Sequence, residues 1–272
     1  MNTSITDAEL ARKVAQEAGQ LLLGLRASFI SDRGPISDRD LANELRDAAD
    51  AASNDLILTR LHAARPSDSI LSEEAMDDSK RLEASRVWVV DPLDGTWEYV
   101  QDRVDFAVHI ALWCDGVVQA ACVDLPAQKL CRSDLDTPDV PPLPVHRPVR
   151  VVASRSRPPA SLEATCSHLG RILKTEGVNG HGVEIVDVGS VGAKVNEILC
   201  GRAEVYLHDT GFYEWDVAAP YGVALHYGLK ASHLDGRPVT FNHMPPYVTD
   251  FKVCHPDIAV HLDRALAQAS ES

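Results

Sequence analysis

Val87-Trp88-Val89-Val90 runs without a break into Asp91-Pro92-Leu93-Asp94-Gly95-Thr96. The first four residues predict a short buried strand, which leaves two carboxylates at a strand end. Burying them there is expensive unless a cation or hydrogen-bond donors compensate. Pro92 fixes its own backbone and pushes Asp91 toward an extended conformation. Gly95 permits a sharp turn and a close approach to a ligand. A helix opening near Thr96 would turn free N–H groups toward the same spot, where they could hold a phosphate. Read alone, the run also fits a polar turn with Thr96 as a helix N-cap.

Around this run the pattern alternates between helix and strand. A helical period covers residues 7–26, and a second covers 51–64, stopping before Pro66. Residues 107–113 and 117–125 read as strands joined by the hairpin signal Asp115-Gly116. Between Arg132 and Pro148 lie five prolines and no clear period, which predicts a connector. Beyond it come a strand at 149–152, a helix at 158–173, a strand at 183–188 and a helix at 191–200. A strand at 204–207, a helix at 216–227 and a last helix at 256–269 complete the expectation. We expect an α/β chain in two halves, 1–147 carrying the Asp-rich run and 148–272 supplying Asp216. In Glu214-Trp215-Asp216, the last residue has the type and place of an N-cap, and Pro220 would then remove only the hydrogen bond to it. The pair Glu73-Glu74 reads by itself as a solvated face.

Charge narrows the function. The formal net charge is −14, which disfavours nucleic acid polymers and anionic membranes as partners. No run approaches the ~20 apolar residues of a membrane span. The N-terminus lacks a signal-peptide pattern, and the six cysteines are scattered without metal-finger spacing. A cytoplasmic location is the expectation. An acidic chain that binds an anion needs bound cations or local positive groups.

Three features occur in order: Leu71-Ser72-Glu73-Glu74, the D-P-L-D-G-T run, and Trp215-Asp216 followed by Ala218-Ala219. Together they resemble the inositol monophosphatase superfamily of lithium-sensitive, magnesium-dependent phosphatases. The resemblance implies a layered αβαβα sandwich, two or three Mg2+ ions per site, inhibition by Li+, and often a homodimer. By the motif match, Glu73, Asp91 and the Leu93 carbonyl would hold one magnesium, and Asp91, Asp94 and Asp216 a second. Thr96 would orient the attacking water, with Asp50 as its partner and Asp47 as the alternative. Glu73 belongs with that catalytic group.

Within the superfamily, Glu98, the segment Ala107–Trp113 and Gly189–Lys194 resemble the CysQ type, which removes the 3′-phosphate of 3′-phosphoadenosine-5′-phosphate. That implies a small phosphorylated substrate, a nucleotide, contacting Leu93, Asp94, Gly95, Thr96, Trp97, Ser190, Lys194, Glu214 and Asp216. The bland alternative for Lys194 is a solvated helix lysine. Ser154-Arg155-Ser156-Arg157 resembles a further segment of that type, with Arg157 in a histidine's place. Three departures stand out: Trp97 where lysine or arginine is usual, His208 where many nucleotidases carry arginine, and Val191 where a serine is usual. A neighbouring specificity for another nucleoside phosphate, an inositol phosphate or a sugar phosphate stays open, as does a noncatalytic binding protein.

Overall fold

The computed structural model describes residues 5–154 and 157–270; Met1–Ser4 and the Arg155-Ser156 pair of the Ser-Arg-Ser-Arg run lie outside the described residues. The chain opens with two long helices, α1 (Asp7–Arg33) and α2 (Arg39–Ala64). Then come β1 (Ser69–Ser72), β2 (Arg86–Asp94), the short helix α3 (Thr96–Val100), β3 (Ala107–Cys114), β4 (Val117–Leu125) and β5 (Leu130–Ser133). After the proline-rich segment follow β6 (Val149–Ala153), α4 (Leu162–Thr175), β7 (Val183–Asp187), α5 (Val191–Leu199), β8 (Val205–His208) and β9 (Phe212–Tyr213). The chain ends with α6 (Glu214–His226), β10 (Lys230–Ser232), β11 (Tyr247–Val248), β12 (Phe251–Cys254) and α7 (Ala259–Ser270).

The strands form two five-stranded sheets, ordered β1-β2-β3-β4-β5 and β10-β12-β8-β6-β7, while β9 and β11 pair separately. Helices α1 and α2 cover one face of the first sheet through Leu22, Leu45, Ile57 and Trp88. Between the sheets lie α5 and α6, whose Val195, Ile198, Val217 and Val223 share a core with Val89, Ala111 and Phe251. On the far face of the second sheet, α4 and α7 close a third core with Leu169, Ile172 and Leu262. Each buried aliphatic side chain of this kind contributes about 1.5–3 kcal/mol. This is the five-layered αβαβα sandwich expected. Among the described residues no helix is long and apolar enough to cross a membrane. All six cysteines are free.

The second helix begins at Arg39, well before the expected residue 51. Its cap is Asp38, whose Oδ1 accepts from the Asp40 and Leu41 amides at 3.0 Å. The buried face then runs Leu45, Ala49, Ser53, Asn54, Ile57 and Leu61. Before residue 51 the helix buries only Leu45 and Ala49, too sparse an apolar period to be read in the sequence, and Ser53 and Asn54 on the same face are polar. They are satisfied internally: Ser53 Oγ donates to the Pro92 carbonyl at 2.8 Å, and Asn54 Oδ1 accepts from Ser72 Oγ at 2.8 Å. Both bonds tie α2 to the segments that carry the acidic motifs.

Candidate active site

Asp91 and Asp94 are three residues apart, so in a regular strand they would point to opposite faces. They do not, because β2 bulges. Asp91 pairs with His109 on β3, but Asp94 pairs with Ala107, three steps on one strand against two on the other. Pro92, which has no N–H to give the ladder, lies inside the bulge. The turn is fixed locally: Asp91 Oδ1 accepts from the Leu93 amide at 3.0 Å, and Thr96 Oγ1 donates to the Leu93 carbonyl at 3.1 Å. Gly95 sits at φ 86°, and a Cβ there would come within 3.1 Å of Ser190 Cβ and 3.2 Å of the Asp105 carbonyl.

The third carboxylate comes from α6. That helix starts at Glu214 with Tyr213 as its cap, so Asp216 is not the N-cap expected from the sequence. It stands at the third helical position, where Oδ2 accepts from the Tyr213 amide at 2.8 Å. One oxygen is thereby committed to the helix terminus and the group is aimed at β2. Oxygen atoms of Asp91, Asp94 and Asp216 lie within 4.8 Å of one another. Glu73 follows β1; its amide donates to the Val90 carbonyl at 3.2 Å, and its carboxyl hydrogen-bonds that of Asp91.

So many carboxyls in one place hold their protons. Burial raises Glu73 to about 7, against the opposing hydrogen bond from Asp91. Burial, with Asp94 and Glu73 adding repulsion, raises Asp216 to about 8. Asp91 is pushed well above the carboxylate range by burial and by Glu73, Asp94 and Asp216. Glu73 is open to the cavity on one side, yet protein atoms crowd its other sides closely enough for desolvation to dominate. Like charges this close are relieved either by protons or by a cation, and oxygen-only donors suit a hard divalent ion. A pH dependence follows. In metal-free protein these carboxyls have folded values above their unfolded ones, so their stabilisation is complete below about pH 4. It is lost as pH rises through about 7 to 8. Without divalent ions, the melting temperature is expected to fall by on the order of 5 °C between pH 5 and 8. Saturating magnesium should remove most of that fall; equal slopes with and without metal would refute the coupling.

The carboxylates floor a cavity of about 490 Å³ that is also lined by Leu93, Gly95, Thr96, Trp97, Glu98, Ser154, Arg157, Ser190, Val191, Lys194, His208 and Phe212. Ser190 caps α5, accepting from the Ala193 amide at 2.9 Å, and the Gly192 amide donates to Asp94 Oδ2 at 3.1 Å. Lys194 is buried, not solvated: its ammonium donates to the Gly189 and Ser190 carbonyls and sits 5.4 Å from the Tyr206 ring centroid. Desolvation lowers it to about 8, opposed by Asp94, Glu98 and Asp105. His208 stacks on Phe212 at 3.6 Å, and burial lowers it to about 4, so it adds no positive charge at neutral pH. Trp97 is 57% exposed, forming part of the rim. It also borders a neighbouring groove lined by Arg39 and Arg46.

Two sequence expectations end elsewhere. Glu214 does not reach the cavity: it is fully buried, and its two carboxylate oxygens accept from the Asn242 and His243 amides at 2.7 Å. It anchors the loop before β11 and does not line the cavity. Of the two aspartates on α2, Asp47 is at the surface with Arg46, at 2.8 Å. Asp50 is raised to about 7 by burial and by Glu74 and Glu73. The Thr96 hydroxyl itself bonds the Leu93 carbonyl. Sequence reading gave no role to Asp105, whose Oδ2 accepts from the Gly189 amide at 2.8 Å, nor to His109 beneath the carboxylates. A lone aspartate or histidine inside an apolar run carries no periodic signal that could have found either.

A family model described as "Inositol monophosphatase family" matches residues 5–267. The chain is 42% identical over 267 residues to a protein of Mycobacterium leprae named 3'-phosphoadenosine 5'-phosphate phosphatase, covering 94% of this chain and 91% of that one. It is 28% identical to a protein of Escherichia coli named 3'(2'),5'-bisphosphate nucleotidase CysQ, over 71% of this chain and 78% of the other. In fold it is similar to the crystal structure of CysQ from Bacteroides thetaiotaomicron, with a TM-score of 0.69 at 24% identity, covering 91% of this chain and 96% of that one.

Proposed function

The chain belongs to the inositol monophosphatase family, and from that premise we propose that it hydrolyses the 3′-phosphate of 3′-phosphoadenosine-5′-phosphate to AMP and inorganic phosphate with Mg2+. The observation that carries this reading is the convergence of Asp91, Asp94 and Asp216 on the floor of a cavity whose walls hold Lys194, Arg157 and Trp97. Glu73, Asp91 and the Leu93 carbonyl would hold one ion, and Asp91, Asp94 and Asp216 another. The oxygen-only donor set and the raised carboxyl pKa values fit a divalent cation. Held there, a magnesium ion would supply positive charge to neutralise the phosphate and to lower the pKa of water at the site.

This chain's own groups do the rest. The Thr96 hydroxyl, on the turn after β2, orients the water, with Asp50 as the proton acceptor. The Lys194 ammonium and the Arg157 guanidinium face a second phosphate. Water attacks phosphorus, the bond to the ribose 3′ oxygen breaks, and no covalent enzyme intermediate is needed. We read residues 1–147 and 148–272 as two halves that meet at this site, because β2 and α6 come from opposite sides of the proline-rich connector.

The test is phosphate release across 3′-phosphoadenosine-5′-phosphate, the AMP isomers, an inositol monophosphate and fructose bisphosphate. The bisphosphorylated nucleotide is expected to lead in kcat/KM by at least about tenfold, or ~1.4 kcal/mol. A higher value for the inositol or sugar phosphate would overturn the substrate assignment while leaving the phosphatase reading standing.

A further inference from the structure

His109 is fully buried on β3, directly across the ladder from Asp91. Its Nε2 stands 3.2 Å from Asp94 Oδ2, and its Nδ1 is 4.0 Å from Asp91 Oδ2. Neither nitrogen completes a well-aligned hydrogen bond among the described residues, although the Trp215 backbone is placed to accept from the ring. Buried polar atoms without partners are rare in native proteins and call for a reason. The pocket around the ring is cut to admit it. A Cβ on Gly192 would approach His109 Nε2 to 2.4 Å and Val123 Cγ1 to 2.7 Å, so only glycine at the start of α5 leaves room.

Asp94 Oδ2 already accepts from the Gly192 amide at 3.1 Å. A second donor on the same oxygen would fix the carboxylate plane and leave its other oxygen for a cation. Hydrogen bonds of this kind are often long in an unliganded site and tighten when it is loaded. We propose that His109 is a positioning residue that donates Nε2–H to Asp94 Oδ2, so that Asp94 is held in the orientation a divalent cation requires. The assignment rests on the metal reading of the carboxylate cluster. Such supporting partners set metal affinity, and losing one weakens it by about 10–100-fold.

The experiment is calorimetric titration of the metal-free, full-length protein with Mn2+, alongside thermal melts that report folding. Glutamine at this position carries an amide N–H to about the place of Nε2, whereas methionine fills a comparable volume with no donor. His109→Gln is expected to bind Mn2+ within about threefold of the parent, and His109→Met about 10–100-fold more weakly. At saturating Mg2+ the KM for substrate should be unchanged in both. Should His109→Met not fold, His109→Asn replaces it: its amide has the polarity of glutamine but stops short of Asp94. It is expected to bind at least about tenfold more weakly than His109→Gln. Equal Mn2+ affinity in folded His109→Met and parent, or in His109→Asn and His109→Gln, overturns the assignment. A parent protein that binds no divalent ion overturns both the assignment and the metal reading beneath it.

Discussion

Asp94→Asn is expected to lower kcat by at least about 10³-fold while the chain stays folded. The side chain is buried, and its Oδ2 accepts from the Gly192 amide, a bond that an asparagine carbonyl oxygen can keep. Shape and packing are therefore preserved. What disappears is one of three carboxyl groups whose oxygens lie within 4.8 Å of each other, and with it a charged oxygen ligand for a cation. Asp94 is among the groups that push Asp91 and Asp216 upward. Removing its charge lets those two carboxyls move back toward their unfolded values. Less stability is then lost as pH rises from about 4 to 8, so the metal-free variant should melt at or above the parent at neutral pH. The parent's melting temperature should climb on adding magnesium through preferential binding to the folded state, and the variant's should barely move. Kinetics and melts together separate the roles. Near-normal turnover at saturating magnesium would remove Asp94 from the metal site, and a large loss of folded protein would make it structural.

That prediction draws on a part of the site that could be read before any coordinates. A strand of β-branched and aromatic residues ending in two aspartates, a proline and a glycine is locally determined, so its meaning survives in the sequence. The hairpin at Asp115-Gly116 is equally local: both residues have positive φ, at 44° and 98°, as the turn requires. What escaped depends on distant partners. The bulge that brings Asp91 and Asp94 to one face exists only in the register of β2 against β3. The early turns of α2 were hidden because residues 39–50 bury only Leu45 and Ala49, too few apolar positions to show a helical period. The short strand β12, Phe-Lys-Val-Cys, was missed because Lys252 interrupts it, and that lysine is buried against Asp263 and the Leu234 carbonyl. Glu214 has the place of a site residue in the linear motif, yet two loop amides some thirty residues later claim its carboxylate. Motif order picked out carboxylates that the fold brings together, whereas the direction in which each one points was set by tertiary hydrogen bonds.

Trp97→Lys is expected to raise the kcat/KM ratio of 3′-phosphoadenosine-5′-phosphate over 3′-AMP by about tenfold, the scale of one partly screened charge pair at contact. The indole is 57% exposed, so it is not packed beneath neighbouring loops. It belongs to α3, which is fixed from below by the next turn: Tyr99 is fully buried and its hydroxyl donates to the Leu22 carbonyl at 2.7 Å. Anchored there, the helix keeps its place when residue 97 changes, and folding should be spared. An ammonium in place of the ring would add a positive charge at the rim, where buried Lys194 lies deeper and His208 is neutral. A second phosphate gains from that charge, and a single phosphate at the metal site gains less. Stacking on the base, worth on the order of 1–3 kcal/mol, would be lost from both nucleotides and so cancels in their ratio. It does not cancel against an inositol phosphate, which has no flat ring. The nucleoside-to-inositol ratio measured with 3′-AMP should therefore fall by about tenfold in the same variant. The two ratios moving in opposite directions would identify Trp97 as the residue that trades charge for stacking at the mouth of the site. Both ratios unchanged in a folded variant would mean that the ring touches no part of the substrate.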